Sequence, residues 1–290
     1  MKKIILCPNM LRDVDGTVTE YVAEAARRRG ITIRKLPMFD DGLSDSIMNV
    51  ADSAQRHEII AALDEADLII ALGGDGTILR VARLAIDADT PILGINLGGK
   101  GFLAELDLAT LTEELPNIFD GGFTREERLT LNVELVREGR VIAQDIAIND
   151  VVISGGGRVI DLMVYGDGHR ISHFTGDGVI VATPTGSTAY SMAAGGPIVE
   201  PTAQNILVTP ICAHVLEAKP YVLVSDRQVA IEIGSVKRNA SYMTVDGNDR
   251  FDMRHGDILR INKSEKTALL AHIPDINFYK RVSEKLGDTL

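Results

Sequence analysis

Directly after the apolar run Leu68-Ile69-Ile70-Ala71-Leu72 the chain reads Gly73-Gly74-Asp75-Gly76-Thr77, one carboxylate among glycines at a strand end. Glycine turns sharply and lets a ligand approach the backbone closely, and open α/β sheets hold their ligands at that edge. The pentad points to phosphate handling, with Asp75 as a base or a metal ligand and Gly74, Gly76 and Thr77 around it. A carboxylate within hydrogen-bond reach of an alcohol can orient it and take its proton as the bond to phosphorus forms. The alternative is a turn carboxylate that accepts backbone N–H bonds.

Other residues join this set by type and spacing. Asn96 and Phe102 flank the next glycine turn; Asn96 either satisfies the loop or touches a ligand, and Phe102 either stacks on a base or packs in the core. Asn149-Asp150 interrupts an apolar stretch, where an unpaired polar pair is costly. An amide beside a carboxylate suits a base and a sugar, because the carboxylate accepts from two hydroxyls. Gly176-Asp177-Gly178 repeats the first pentad's logic and leads through an apolar run into Thr183-Pro184-Thr185-Gly186-Ser187-Thr188-Ala189-Tyr190. Those hydroxyls can bond phosphate oxygens or cap a helix, and Tyr190 can stack. His214 meets a phosphate or satisfies a core hydrogen bond, and Asp246-Gly247 reads first as a hairpin turn.

Three other segments imitate known motifs. Asp13-Val14-Asp15-Gly16-Thr17 has the lettering of a phosphatase nucleophile, yet five residues separate it from the preceding strand. It reads as a polar turn capping a helix. Gly94 to Lys100 matches seven places of a P-loop and then has Gly101 where a Ser or Thr must bind magnesium. Gly155-Gly156-Gly157 lacks the spacing of a dinucleotide fingerprint and reads as a turn.

The elements that must carry these residues differ between the two halves. Lys3–Cys7, Ile31–Leu36, Leu68–Leu72 and Pro91–Ile95 read as strands; Val18–Arg29, Ser44–Ala62 and Thr77–Ile86 read as helices. This alternation predicts an α/β domain with a mostly parallel sheet over residues 1–125. Short strand-like stretches then dominate: Leu129–Val136, Arg140–Ile153, Arg158–Tyr165, His169–Phe174, Gly178–Ala182, Tyr221–Ser225, Val229–Ile233, Tyr242–Val245 and Ile258–Ile261. Thr188–Ala194 and Pro201–Ile206 hint at helix. Residues 126–270 therefore read as a β-rich domain, and 271–290 as a helical tail packing back on the first domain, with Phe278, Val282 and Leu286 in step.

Composition bounds the reading. A hydrophobic content of 45% supports a real core. A net charge of −11 argues against nucleic acid as a partner, since that binding needs phosphate-neutralising cations. Cys7 and Cys212 read as buried free thiols, and no histidine or cysteine spacing marks a metal site. The first apolar run is too short for a signal peptide, and no run of ~20 apolar residues spans a membrane. The expected compartment is the cytoplasm.

Taken together, Gly73–Thr77, Asn96 with Gly101-Phe102-Leu103, Asn149-Asp150-Val151-Val152, the run from Gly176 to Tyr190, Ala194-Gly195-Gly196-Pro197-Ile198-Val199, and Thr209-Pro210-Ile211 with His214 resemble the NAD kinase family over nearly the whole chain. The resemblance implies the two-domain architecture above with a site between the domains. It implies phosphoryl transfer from ATP, or from polyphosphate, to the 2′-hydroxyl of the adenosine ribose of NAD, giving NADP. Asp75 would be the general base. Asn149, Asp150, Asp177, Thr188, Ala189, Tyr190 and Ala193 would hold the dinucleotide, with Cys212 and His214 completing the candidate contacts. Magnesium or another divalent ion would accompany the donor, and the chain would form a homodimer or homotetramer. Members commonly carry Asn-Glu where this chain has Asn149-Asp150, and many carry Arg where it has Thr175. The competing readings are a kinase of another alcohol, such as a lipid or a sugar, and a non-catalytic NADP sensor.

Overall fold

The structure, a computed structural model, describes residues 1–36, 38, 54–99, 101–215, 218–234, 241–248, 250–274 and 277–287. The chain divides into two compact units, Met1–Glu127 with Ala268–Leu290, and Arg128–Thr267.

The first unit is built on parallel strands β1 (Lys3–Pro8), β2 (Thr32–Lys35), β3 (Leu68–Gly73) and β4 (Ile92–Asn96), in the order β2-β1-β3-β4. Every residue of β3 is buried, as expected for a parallel strand covered on both faces. The two-residue β5 (Leu106–Asp107) runs beside the end of β4, and Leu270 pairs in parallel with Ile92 at its start. The helix Thr17–Arg27 buries Thr19, Val22, Ala23 and Ala26. Its first turn is capped by Asp13, whose carboxylate accepts the N–H groups of Val18 and Thr19, as the polar-turn reading anticipates. Ala271 and Ile273 join Ile4, Leu6, Ile70, Leu93 and Ile95 in one apolar cluster.

The second unit is antiparallel. Its strands are β6 (Thr124–Arg137) from Arg128 on, β7 (Arg140–Ala147), β8 (Asp150–Ser154), β9 (Ile160–Gly166), β10 (His169–Gly176), β11 (Gly178–Ala182), β12 (Asn205–Ile211), β13 (Tyr221–Val224), β14 (Val229–Ile233), β15 (Ser241–Val245), β16 (Phe251–Met253) and β17 (Ile258–His272) as far as Thr267. One sheet has the order β13-β12-β11-β8-β15-β16. The other runs β10-β9-β14-β17, with β6 beside β17 and β7 beside β6. Alternation divides the side chains of β8 and β11 between two cores. Val151, Ile153, Val179 and Val181 join the large cluster with Leu162, Val164, Ile231 and Leu259. Val152, Ile180 and Ala182 join Leu207 and Ile211 on the other face, under Ala194 and Val199.

Several elements differ from the sequence reading. The helix after the glycine pentad is Asp75–Leu84 and starts two residues earlier than expected, with Gly74 extended as its cap. A carboxylate in the first turn suits the helix dipole. Residues 201–206 are not helical: a turn leads into β12. Arg140–Ile153 is two strands broken at Ile148-Asn149. The strand expected at Ile258–Ile261 runs on to His272, and the helix Leu111–Phe119 was not anticipated. The Ser44–Ala62 pattern is described only from the helix Ala54–Asp64, and the rest of it lies outside the described residues. In the helix Phe278–Gly287 the half-buried seam is Phe278, Arg281, Val282 and Lys285, while Leu286 is exposed. Cys7 is buried, and its burial pushes the thiol up to about 12. Cys212 is exposed, against expectation, because a left-handed residue (φ 45°) turns the chain out of the sheet there.

Candidate functional site

Each unit carries its own cluster of candidate residues. In the first, β3 ends at Gly73, where a Cβ would collide with the Thr77 side chain. That close approach lets the chain turn straight into the helix. Thr77 is buried and its hydroxyl accepts a 2.9 Å bond from the Asn9 amide, so its role is to pin the turn. Gly76 faces open space, and Gly74 lies beside the Arg12 guanidinium, which donates to the Gly98 carbonyl at 2.9 Å. Asp75 is half-buried. Its Oδ2 accepts the Phe102 N–H at 2.6 Å and its Oδ1 the Leu103 N–H at 3.1 Å. The structural alternative for this carboxylate is thus realised, yet a carboxylate has about four acceptor positions and two are used here. Gly101 allows the approach, since a Cβ there would strike Oδ1.

Asn96 is engaged by its own loop: its amide donates to the Gly99 carbonyl at 2.8 Å and accepts the Gly98 N–H at 3.1 Å. Phe102 is half-buried, with the Lys285 ammonium 5.3 Å from its ring centroid. Its carbonyl accepts from Arg281 at 2.8 Å, and Arg281 also pairs at 3.0 Å with the buried Glu105. Desolvation lowers the Lys285 pKa, while the charge of Asp75 acts the other way. Sequence reasoning passed over Arg12, Arg281 and Lys285. The i, i+4 spacing of Arg281 and Lys285 was the available signal for two of them.

In the second unit the candidates fall at opposite ends of β11. Asp177, exposed, sits where β10 gives way to β11, and its N–H donates to the Ile211 carbonyl at 3.0 Å. Cys212 and His214 lie at the same end; the His214 N–H donates to the Thr175 carbonyl at 2.8 Å. Five strand residues away, about 17 Å at 3.4 Å per residue, Ala182 pairs with Asp150. There the Thr183 hydroxyl donates to the Ile148 carbonyl at 2.6 Å and accepts the Gly186 N–H at 3.0 Å. The hydroxyl-rich run forms a short 3-10 turn, Thr185–Thr188, followed by the single helical turn Tyr190–Ala193. Thr183, Thr185 and Ser187 are buried, and Ser187 is bonded to Val199 in both directions at 3.1 Å, so these three hydroxyls chiefly hold the turn. Thr188 and Ala189 are half-buried; Tyr190 and Ala193, three residues apart, are exposed on one side of the helical turn.

The Asn149-Asp150 pair is the most unusual feature of this end. The Asn149 Oδ1 is buried without a hydrogen-bond partner among the described residues. Asp150 is 6% exposed, and its carboxyl is pushed up to about 7, first by burial and then by the charge of Asp246. Asp246 sits in the expected turn and does more than turn the chain: its carboxylate accepts the N–H groups of Ile148, Asn149 and Asp150 at 2.9, 2.7 and 3.1 Å. Among the described residues no group of three acidic, histidine or cysteine side chains could hold a metal ion.

Comparison with known proteins places these clusters in context. Residues 15–123 match the family described as ATP-NAD kinase N-terminal domain, and residues 148–273 the ATP-NAD kinase C-terminal domain. The chain is 38% identical over 289 residues to an NAD kinase of Ruminiclostridium cellulolyticum, covering 99% of this chain and 98% of that protein. It is 34% identical over 290 residues to an NAD kinase of Acetivibrio thermocellus, covering 99% and 98%. Among solved structures, the NAD kinase of Archaeoglobus fulgidus in complex with ATP superposes with a TM-score of 0.71 at 25% identity, over 99% of this chain and 98% of that one. Yeast NADH kinase complexed with NADH shares the fold, with a TM-score of 0.81 at 23% identity over 100% of this chain and 88% of the yeast chain.

Proposed function

The chain belongs to the NAD kinase family, and from that premise we propose how its residues divide the work. It phosphorylates NAD to NADP with ATP. The acceptor is the 2′-hydroxyl of the adenosine ribose, and Asp75 is the general base. As the ribose oxygen forms its bond to the terminal phosphorus, its proton passes to a free acceptor position of Asp75. The bond from phosphorus to the bridging oxygen breaks and ADP leaves with that electron pair. The backbone N–H groups of Phe102 and Leu103 hold the carboxylate in one orientation, so it need not be ordered during the reaction. The open space at Gly76, at the start of the helix Asp75–Leu84, gives the donor's phosphates access to N–H groups and a favourable dipole, with the Arg12 guanidinium beside Gly74. Asn149 and Asp150 hold the dinucleotide through the unpaired Oδ1 and the buried carboxyl. The candidates at the two ends of β11 suit an extended, two-ended ligand better than a compact sugar.

The described residues do not assemble a protein-held metal site. A divalent ion would come with the donor's phosphates and offset their charge. The chain acts in the cytoplasm as a homodimer or homotetramer. The fixed Asp75 carboxylate carries the reading of the chemistry. Asp75→Asn keeps the size of the side chain and removes its basicity. In a coupled assay for NADP its kcat should fall about 10²–10⁴-fold, with the KM for NAD nearly unchanged and the melting temperature modestly lower, because the amide NH2 cannot accept one of the two N–H bonds. A variant with wild-type turnover would end the assignment.

A further inference from the structure

The peptide groups from Ile148 to Asp150 are consumed by the protein. The Asp246 carboxylate takes all three N–H groups, Oδ1 from Asn149 and Asp150 and Oδ2 from Ile148. The Asp246 N–H donates back to the Asp150 carbonyl at 2.9 Å, and the Thr183 N–H donates to the Asn149 carbonyl at 2.8 Å. The Ile148 carbonyl takes the Thr183 hydroxyl at 2.6 Å. Among the described residues the bend leaves the Asn149 Oδ1 buried without a partner, beside the buried Asp150 side chain. Asp246 achieves this from a left-handed conformation (φ 50°) that a non-glycine residue rarely adopts, and that Asp tolerates better than most.

We infer that Asp246 is a positioning residue for the dinucleotide: it shapes the Asn149–Asp150 bend through three backbone bonds, and its charge stands against the Asp150 carboxylate. The inference rests on the reading that Asn149 and Asp150 hold NAD. Nothing in that reading requires a second carboxylate, and a like charge beside a ligand-binding acid weakens its ionisation. Beside Asp150, β11 ends at Ala182, followed by Thr183, and the turn Thr185–Thr188 brings hydroxyls. Asp246 bonds the bend itself, and the Arg128 guanidinium reaches the Thr185 hydroxyl at 3.4 Å. Of these, Asp246 is the one that acts on the Asp150 carboxyl, in the same direction as burial. Dinucleotide binding that needs the Asp150 carboxylate as acceptor therefore weakens as pH falls through about 7.

The test is the pH dependence, from pH 5.5 to 9, of kcat and of the KM for NAD in wild type, Asp246→Asn, Asp246→Ala and Asp150→Asn, with melting temperatures alongside. In Asp246→Asn the amide oxygen can still accept from Asn149 and Asp150, the NH2 in place of Oδ2 cannot accept from Ile148, and the charge is gone. The acid rise in KM should move down by about half a pH unit or more, KM at pH 8.5 should rise a few-fold, and kcat should change little. Asp246→Ala should raise KM further, and Asp150→Asn should flatten the acid rise. An acid rise that stays at its wild-type pH in Asp246→Asn, while Asp150→Asn flattens it, overturns the inference and leaves the dinucleotide reading standing. An acid rise that persists unchanged in Asp150→Asn overturns both. A parallel fall of kcat and melting temperature in both Asp246 variants, with no movement of the acid rise, marks a merely structural residue and also overturns the inference.

Discussion

Asp150 is held where its charge is unwelcome. Its ordinary value of 3.8 is raised to about 7, first by burial and then by Asp246. For a carboxyl raised in the folded state, stability is fully present below the unfolded value, declines as pH rises, and is lost once pH passes the folded value. The window here runs from about pH 4 to about pH 7. Asp150→Asn removes the ionisation and keeps the shape. It should match wild type in stability near pH 4 and exceed it at pH 8 by up to about 4 kcal/mol, measured by denaturant unfolding at both pH values. A stability difference that does not vary with pH would contradict this account. On the proposed role of Asp150 as an acceptor for the ligand's hydroxyls, the variant should also bind NAD poorly.

At the scale of elements, β8, β11 and β12 are covered on both faces, and the turns at their ends pack closely on one another. Gly186 illustrates the fit: a Cβ there would land on the Asn149 carbonyl oxygen. Gly186→Ala should displace the Asn149–Asp150 bend, cost roughly 1–3 kcal/mol as overpacking does, and raise the KM for NAD more than it lowers kcat. Steady-state kinetics on the folded variant check this, and an unchanged KM would show that the turn can yield without moving the pair. Much of this layout was legible in the sequence. The β3 run, the glycine turn after it and the strand–turn–hydroxyl series ending at Tyr190 carry local signals of period and composition. What was hidden depended on distant partners. Asp246 looks like any turn aspartate until Ile148 and Asn149, nearly a hundred residues earlier, are brought to it. The second half of β17 was missed because Asn262 to Thr267 is polar enough to read as a loop. Residues 201–206 read as helix because apolar periodicity is ambiguous in short runs. Arg281 contacts Phe102 and Glu105 across more than 170 positions, which no local pattern records.

At the scale of the molecule, the first unit is discontinuous: Met1–Glu127 is joined by the residues from Ala268 onward. Those later residues place Leu270 against β4, Ala271 and Ile273 in the apolar cluster, and Arg281 on Glu105. A fragment of residues 1–127 is therefore expected to lack cooperative thermal unfolding by circular dichroism. A sharp, reversible transition in that fragment would show the later segment to be dispensable. On the ribosome, the part made first cannot be completed first. At about 5–20 residues per second, the nascent sheet must wait on the order of ten seconds for its missing edge, with its apolar surface exposed to chaperones and proteases meanwhile.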